Sequence, residues 1–581
     1  MVTLKIDGKT VQAEAGTMVL EAALRNGIRI PTLCHLKDIN NIGACRMCLV
    51  EDAKTHRLSA SCTLPVSEGL EVLTKSPAVL NSRKFVLELI LSDHKRECLT
   101  CVRNQTCELQ ALCDELGVRE IPYDGKPTKQ RFDDASPSIV RDNSKCILCR
   151  RCVAACEKTQ GVAVIGMQNR GFRTEVGVPF NHSLADVACI NCGQCIAACP
   201  VGALYEKDST AAVWAALADP EKFVVFQPAP AVRVAIGEEF GLPIGTACVG
   251  KLAAAMHRLG ADKVFDVDFA ADLTIMEEGT ELLDRLTNGG VLPMITSCSP
   301  GWIKFCEHFY PEFLPNLSTC KSPNQMQGAI TKTYFAQKNG LDPKNIFVVS
   351  VMPCTAKKFE IGRSEMGRDD YRDVDANLTT RELARMIKQA AIDFVNLPDE
   401  PFDDILGDST GAAVIFGVTG GVMEAALRTV ADILTGEDLK DIEYKDVRGL
   451  EGIKEASVTL PLNGKPTEVK VAIAHGTANA AKLLDAIKAG EKTYHFIEIM
   501  GCPGGCVTGG GQPIVNARTR YFIDPKAARA AAAYGVDRDM PIRKSHKNPS
   551  IIKLYDEFLG KPNSHKAHEL LHTHYTERSK F

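Results

Sequence analysis

The residues with chemistry to offer are the cysteines: 23 in 581 residues, gathered rather than scattered. Sixteen precede residue 200, and all of these but Cys113 stand in groups of three or four. Cys34, Cys45, Cys48 and Cys62 form C-x10-C-x2-C-x13-C, while His94, Cys98, Cys101 and Cys107 form H-x3-C-x2-C-x5-C. Two matching runs follow, Cys146-x2-Cys149-x2-Cys152-x3-Cys156 and Cys189-x2-Cys192-x2-Cys195-x3-Cys199-Pro200, an internal repeat. The other seven (Cys248, Cys298, Cys306, Cys320, Cys354, Cys502 and Cys506) are mostly isolated. In a long chain with no export signal, such groups speak for metal ligation rather than disulfides.

The doubled run has the spacing of two-cluster ferredoxins, in which the fourth cysteine of each run serves the other cluster. Cys146, Cys149, Cys152 and Cys199 are therefore expected to hold one 4Fe-4S cluster, and Cys189, Cys192, Cys195 and Cys156 a second. Four thiols at Cys34, Cys45, Cys48 and Cys62 suit a 2Fe-2S cluster, with a structural zinc as the alternative. Around them, Pro31-Thr32-Leu33-Cys34 and Gly43-Ala44-Cys45-Arg46-Met47-Cys48 resemble the 2Fe-2S domain of respiratory-type dehydrogenase subunits and hydrogenases. In those two families the spacing of His94, Cys98, Cys101 and Cys107 binds a third 4Fe-4S cluster; alone, His94 would read as a capping or surface histidine. Cys113 fits no ligand pattern and reads as a buried thiol. Four clusters in series would make an electron wire, but a wire is not an enzyme.

The elements that must position these groups follow from composition and periodicity. The chain is 45% hydrophobic and 24% charged with a formal net charge of -4, a multi-domain globular composition with no basic excess for nucleic acid. Its start alternates apolar and polar residues and turns at Gly8, unlike a signal peptide, and no apolar run is long enough to span a membrane, so a cytoplasmic protein is expected. Residues 1–78 read as a small mixed domain: strands Thr3 to Ile6 and Thr10 to Ala13, then a helix from Val19 to Asn26. Residues 79–125 read as helical, and residues 126–209 hold the two cysteine runs after a linker, Gly125 to Gln130. From 210 to 581, strands alternate with helices: Lys222 to Phe226 then Ala231 to Glu239, Ala412 to Phe416 then Gly421 to Leu427, Val469 to His475 then Asn479 to Ala489. That alternation predicts a large α/β domain whose site gathers at the carboxyl ends of parallel strands. By periodicity alone, Glu277, Glu278 and Glu281 form the solvated face of a helix from Leu273 to Leu286.

Three segments of this last part carry cysteines in unusual settings: Thr296-Ser297-Cys298-Ser299-Pro300-Gly301-Trp302, Met352-Pro353-Cys354-Thr355-Ala356-Lys357-Lys358-Phe359-Glu360, and Glu498 to Pro513 with Cys502-Pro503-Gly504-Gly505-Cys506 inside it. Together they resemble the three signatures of iron-only (FeFe) hydrogenases, over essentially the whole chain. The resemblance implies a β-grasp 2Fe-2S domain, a small helical His/Cys3 domain, a two-cluster ferredoxin domain and an α/β catalytic domain. It also implies an H-cluster, a 4Fe-4S cubane joined to a di-iron unit with CO, cyanide and azadithiolate. Cys354, Cys502 and Cys506 would ligate the cubane, with Cys506 bridging. Lys357 would contact a cyanide, and Pro230, Met352, Phe416 and Met500 would line a pocket that excludes water and oxygen. Glu278, Glu281 and Ser318 match the family's proton relay, and Arg285 its surface end.

This chain departs from the family where two adjacent cysteines are usual, a relay thiol and then a cubane ligand. Here they are Cys298 and Ser299, which leaves open whether Ser299 ligates through oxygen or Cys298 shifts to ligate. Ala231 replaces a usual serine and Asn324 a usual glutamine in the pocket. Cys248, Cys306 and Cys320 match no ligand and read as core thiols. The resemblance implies reversible formation of H2 from two protons and two electrons, with maturation proteins inserting the di-iron unit. The segment Leu91 to Gln110 looks like NADH-dehydrogenase-linked subunits, which implies ferredoxin or a flavin-containing, NAD(P)H-oxidising partner subunit. The chain itself has no G-x-G-x-x-G fingerprint after a strand. A non-catalytic electron-wiring subunit and a hydrogen sensor are the alternatives.

Overall fold

The computed structural model describes residues 1–123, 128, 131–368, 370–404, 406–439, 442–462 and 465–580. The expected linker Gly125 to Gln130 lies outside them except for Thr128. At the N-terminus, Val2–Ile6 and Lys9–Ala13 pair antiparallel around Asp7 and Gly8, both at positive φ as a tight hairpin turn requires. Their inward residues Leu4, Ile6, Val11 and Ala13 pack on the helix Val19–Arg25. Three more short strands, Leu49–Asp52, Leu58–Ala60 and Glu71–Leu73, complete a five-stranded sheet, and Glu71–Leu73 runs parallel to the first strand. Ser76 caps the helix Pro77–Asp93 by accepting from Val79 N, and Pro77 occupies its first turn, where no N–H is missed.

The two cysteine runs fold alike. Each carries its third cysteine into a short helix, Arg151–Ala154 or Gln194–Ala198, preceded by a left-handed residue, Arg150 or Gly193. Beyond residue 209 lie two four-stranded sheets. In one, Lys263–Val264, Phe223–Pro228, Ile346–Met352 and Ala376–Thr379 run parallel in that order. In the other, Met294–Ile295, Phe496–Met500 and Lys465–His475 are parallel, and Ile453–Leu462 closes the edge antiparallel. The expected mixture of α+β and α/β domains is what the chain adopts. Among the described residues no helix is long and apolar enough to cross a membrane.

Three local expectations fail. Ala412 to Phe416 is not a strand but a short helix, Gly411–Val414, running into one 3-10 turn. It is buried all round, and a five-residue apolar run has no period to separate strand from helix. Ala231 to Glu239 is not a regular helix; turns lead into the 3-10 segment Ile236–Phe240. The helix through Glu278 runs further than expected, from Val267 to Asn288, with Asp266 capping its start and Gly289 in the left-handed conformation at its end. Its glutamates are not solvated: Glu277, Glu278 and Glu281 are 0%, 3% and 9% exposed. The helix Gly421–Thr435, the helix Pro323–Ile330 and the C-terminal segment cover the faces that periodicity leaves to water.

Candidate functional site

In the front end, thiols far apart in sequence are brought together without forming disulfides. Cys45 Sγ lies 3.3 Å from Cys34 N, and Cys48 Sγ lies 3.3 Å from Cys62 Sγ. Cys146, Cys149, Cys152 and Cys199 line one cavity, so the last cysteine of the second run joins the first three of the first. Burial pushes Cys195 and Cys156 up in pKa, with Cys189 the next cause for both, which places these three thiols within electrostatic reach of one another. Cys192 lies near Cys195 and also near Cys502 of the last segment. His94 follows the last turn of its helix, with a buried Nδ1 that has no hydrogen-bond partner, as a ligand nitrogen would. Cys113 is half-buried against the surrounding core.

The first two groups both contact the surroundings of the first ferredoxin cavity. Asn40 Nδ2 donates to Cys34 O at 2.8 Å and to Cys149 O at 3.0 Å, tying the first thiol group to the cavity of Cys146 and Cys149. A Cβ at Gly202 would lie 2.5 Å from Cys101 Sγ, so the His94 group packs against the loop just after Cys199. Two groups thus converge on one.

The second ferredoxin run is docked on the α/β part. Thr355 Oγ1 donates to Asn191 O at 2.7 Å, Lys304 Nζ to Asn191 Oδ1 at 2.8 Å, and Gln194 Nε2 to Thr508 O at 3.0 Å. Immediately behind this contact lies a cavity. It opens at the carboxyl ends of strands from both sheets: Pro230 and Ala231 follow one strand, Pro353 and Cys354 another, Cys298 and Ser299 a third, Gly501 and Cys502 a fourth. Asn324, Lys357, Met352, Phe416, Met500 and Cys506 complete a largely apolar wall. Glycines let the loops close over it; a Cβ at Gly505 would sit 2.7 Å from Thr419 N.

The donor set suits a bulky iron–sulfur group. Cys354, Cys502 and Cys506 all face this cavity, and burial raises each thiol, Cys506 to about 12, so a bound cation is what would favour their thiolates. Ser299 Oγ accepts from Gly501 N at 3.1 Å on the same wall. Lys357 Nζ donates to both oxygens of Glu360 at 2.9 Å, to Ser322 Oγ at 2.7 Å and to Cys298 O at 3.3 Å. Glu360 and Ser322 were missed in the sequence, although Glu360 stands three residues after Lys357 on one helix turn, a spacing that favours such a pair. Glu498, also missed, accepts from Gly420 N at 2.6 Å and Met423 N at 2.8 Å and so pins the loop behind Phe416.

From the cavity a file of polar side chains leads outward. Burial first and then Glu278 raise the Cys298 thiol well above its usual value. Burial, with Glu281 next, lifts Glu278 to about 8, which keeps it protonated at neutral pH. Ser318 Oγ donates to Glu281 Oε2 at 3.0 Å, and Arg285 Nη2 to Glu281 Oε1 at 2.6 Å. Arg285, with 11% of its side chain exposed, also donates to the carbonyls of Leu317, Val291, Asn316 and Pro315. Cys248, Cys306 and Cys320 lie in the core, at 3%, 0% and 0% exposure. Cys320 differs from the other two in facing Glu281 and His572.

Comparison with known proteins matches residues 222–510 to "Iron only hydrogenase large subunit, C-terminal domain" and residues 524–578 to "Iron hydrogenase small subunit". Residues 1–77 match a 2Fe-2S cluster binding domain, 83–122 the NADH-ubiquinone oxidoreductase-G iron-sulfur region, and 145–203 a 4Fe-4S dicluster domain. The chain is 50% identical to the NADP-reducing hydrogenase subunit HndD of Solidesulfovibrio fructosivorans over 100% of both chains. It is 44% identical to iron hydrogenase 1 of Clostridium pasteurianum, over 99% of this chain and 100% of that one. A solved variant of the FeFe-hydrogenase HydA1 from Chlamydomonas reinhardtii is 44% identical and superposes with a TM-score of 0.57, covering 64% of this chain and 99% of that one.

Proposed function

This chain belongs to the iron-only hydrogenases, and on that premise we propose how its residues divide the work. The enzyme interconverts two protons and two electrons with H2, and its iron–sulfur domains carry the electrons. Cys354, Cys502 and Cys506 would hold the cubane of the H-cluster. Bound there, that group supplies the metal at which protons and electrons meet. Ser299 stands at the fourth cubane position, because its oxygen shares the wall with the three thiols. Cys298 keeps the first relay place, because Glu278 is, after burial, the strongest influence on its thiol. From it protons pass by Glu278, Ser318 and Glu281 to Arg285.

Glu360 and Ser322 fix the Lys357 ammonium at the cavity edge, where it favours anionic cofactor ligands. Pro230, Ala231, Asn324, Met352, Phe416 and Met500 shape the wall and keep water out. Cys34, Cys45, Cys48 and Cys62 would hold one 2Fe-2S cluster, and the sets His94/Cys98/Cys101/Cys107, Cys146/Cys149/Cys152/Cys199 and Cys189/Cys192/Cys195/Cys156 three accessory 4Fe-4S clusters, which would supply one-electron carriers. The groups at Cys34 and His94 both adjoin that of Cys146, Cys149, Cys152 and Cys199, and would serve as two inlets to it. Cys192, near Cys502, places the last set against the cavity. The four parts, 1–78, 79–125, 126–209 and 210–581, act as separate domains. Ferredoxin or a flavin-bearing, NAD(P)H-oxidising subunit is the partner, in keeping with the NADP-reducing relative, and the complex works in the cytoplasm after maturation proteins supply the di-iron unit.

The observation that carries this reading is the single cavity that gathers Cys298, Ser299, Cys354, Lys357, Cys502 and Cys506 from strand ends of two sheets. The test is hydrogen evolution from reduced methyl viologen by anaerobically matured protein, with infrared spectra on the same sample. Turnover together with CO and cyanide bands supports the reading. Bands without turnover place the fault in the proton path, and absence of both in a sample with intact accessory clusters refutes the catalytic assignment.

A further inference from the structure

Beside the relay, outside the cavity, three donors of different kinds converge. Glu281, Cys320 and His572 each offer one ligand atom, and these atoms lie within 4.8 Å of one another. The arrangement is built into the backbone. Cys320 and His572 face each other across an antiparallel bridge, flanked by Lys321 N donating to Leu571 O and Thr573 N to Thr319 O, both at 2.7 Å. Glu281 reaches this bridge from the helix Val267–Asn288, and Thr319 N donates to its Oε2 at 3.1 Å. Cys320 is fully buried, and its thiol makes only a long 3.9 Å contact with Glu281.

The remaining neighbours favour a cation. Glu277 Oε2 lies 3.2 Å from His572 Nε2, and Thr319 Oγ1 lies 2.8 Å from Nδ1. Whichever nitrogen turns to a metal, the other keeps an oxygen partner, the pairing usual for metal-bound imidazoles. The cation paired with Glu281 among the described residues, Arg285, can let go because four carbonyls accept from it. Exposed His568 lies tilted against His572, ring centres 4.1 Å apart, and marks the way in from solvent.

The geometry points to a zinc-class divalent cation site formed by Glu281, Cys320 and His572, whose occupation immobilises Glu281 and stops proton transfer, so that the metal is an inhibitor of turnover. One thiolate, one imidazole and one carboxylate suit zinc over magnesium or calcium, with a water in the fourth position. Ligation displaces the thiol proton of Cys320 to solvent and changes no oxidation state. The inhibitory part rests on Glu281 being a relay residue; the binding part does not.

The test titrates matured holoenzyme with zinc sulfate during viologen-coupled H2 oxidation, and measures bound zinc by calorimetry and by zinc-edge X-ray absorption. Expected are reversible inhibition, a zinc–sulfur distance of about 2.3 Å, and binding weakened roughly tenfold or more in C320A and in H572Q. H572Q touches neither the cavity nor a relay residue and keeps its rate without zinc, so it decides the matter if C320A fails to fold or, having lost its contact with Glu281, turns over more slowly. Unchanged inhibition and zinc–sulfur scattering in both variants would overturn the site. Binding at Cys320 without inhibition would overturn the inhibitory role and count against Glu281 as a relay group, while leaving the cavity chemistry untouched.

Discussion

Glu278 is the residue on which proton delivery turns. At about 8, its folded pKa lies far above the ordinary carboxyl value of 4.5, burial being the main cause. Near neutral pH it therefore keeps a proton it can give or take, which a solvated glutamate would not. Replacing it, E278Q, removes the group and should lower H2 turnover by about 10²–10⁴-fold while infrared bands of the cofactor persist. The same shift acts on stability. Below about pH 4.5 both folded and unfolded chains hold the proton and nothing is lost. As pH rises toward 8 the unfolded chain ionises while the folded one cannot, so stability falls. Anaerobic denaturant titrations should show E278Q gaining on the parent protein between pH 5 and 8; an equal gap at all pH values would mean that Glu278 is solvated. Ser299 makes a separate prediction. In protein carrying the cubane but no di-iron unit, S299C should change the cubane's EPR signal and lower its reduction potential, and S299A should leave it open to an external ligand. A signal indifferent to both substitutions would remove Ser299 from the cubane.

At the scale of elements, the decisive contact is between two glycine-bearing loops. A Cβ at Gly510 would collide with the Cys192 carbonyl and the Gly193 backbone, and a Cβ at Gly193 with Thr355 and Gly510. Bare backbone at both positions is what lets the second ferredoxin run lie directly against Cys502. G510A should therefore force the two loops apart, at a cost of about 1–3 kcal/mol. Its expected signature is selective. Viologen-coupled turnover falls because electrons cross a wider gap, whereas H/D exchange between H2 and water, which needs no external electrons, continues. Loss of both in equal measure would show that the loop shapes the cavity itself. Helix Val267–Asn288 is the second such element. It holds Glu278, Glu281 and Arg285 at spacings of three and four, so one rigid rod carries the outward path from the cavity wall to the surface.

At the scale of the whole molecule, the chain is a front end held by metal ligands and an α/β body held by apolar cores. The body buries large clusters around Phe226, Phe265 and Ile473, and its C-terminal tail returns to lock Arg578 and Arg363 on buried Glu307. The front end packs its half-buried and buried thiols into its core, where bound clusters would fill the space between them. Anaerobic removal of iron should then unfold the front end first. Limited proteolysis after chelation should leave a resistant fragment beginning near residue 210, with helical circular dichroism largely retained. Simultaneous loss of both halves would mean that the body, too, depends on its cluster.

What could be read from the linear chain was whatever ligands close in sequence encode. C-x2-C-x2-C-x3-C needs no fold to announce a cluster, because one short loop supplies most of the ligands, and the alternation of Thr3 to Ala13 announces a hairpin for the same local reason. Tertiary structure alone decided the rest. Ala412 to Phe416 turned helical because an all-apolar run has no period and only its buried place between elements selects a conformation. Glu277, Glu278 and Glu281 looked solvated because a helix's periodicity records its polar face but not what later packs over it. Here the helices Pro323–Ile330 and Gly421–Thr435 and the C-terminal tail supply that cover. The meeting of Cys320 with His572 depends on the same return of the chain, since residues this far apart in sequence become neighbours only when the backbone pairs them.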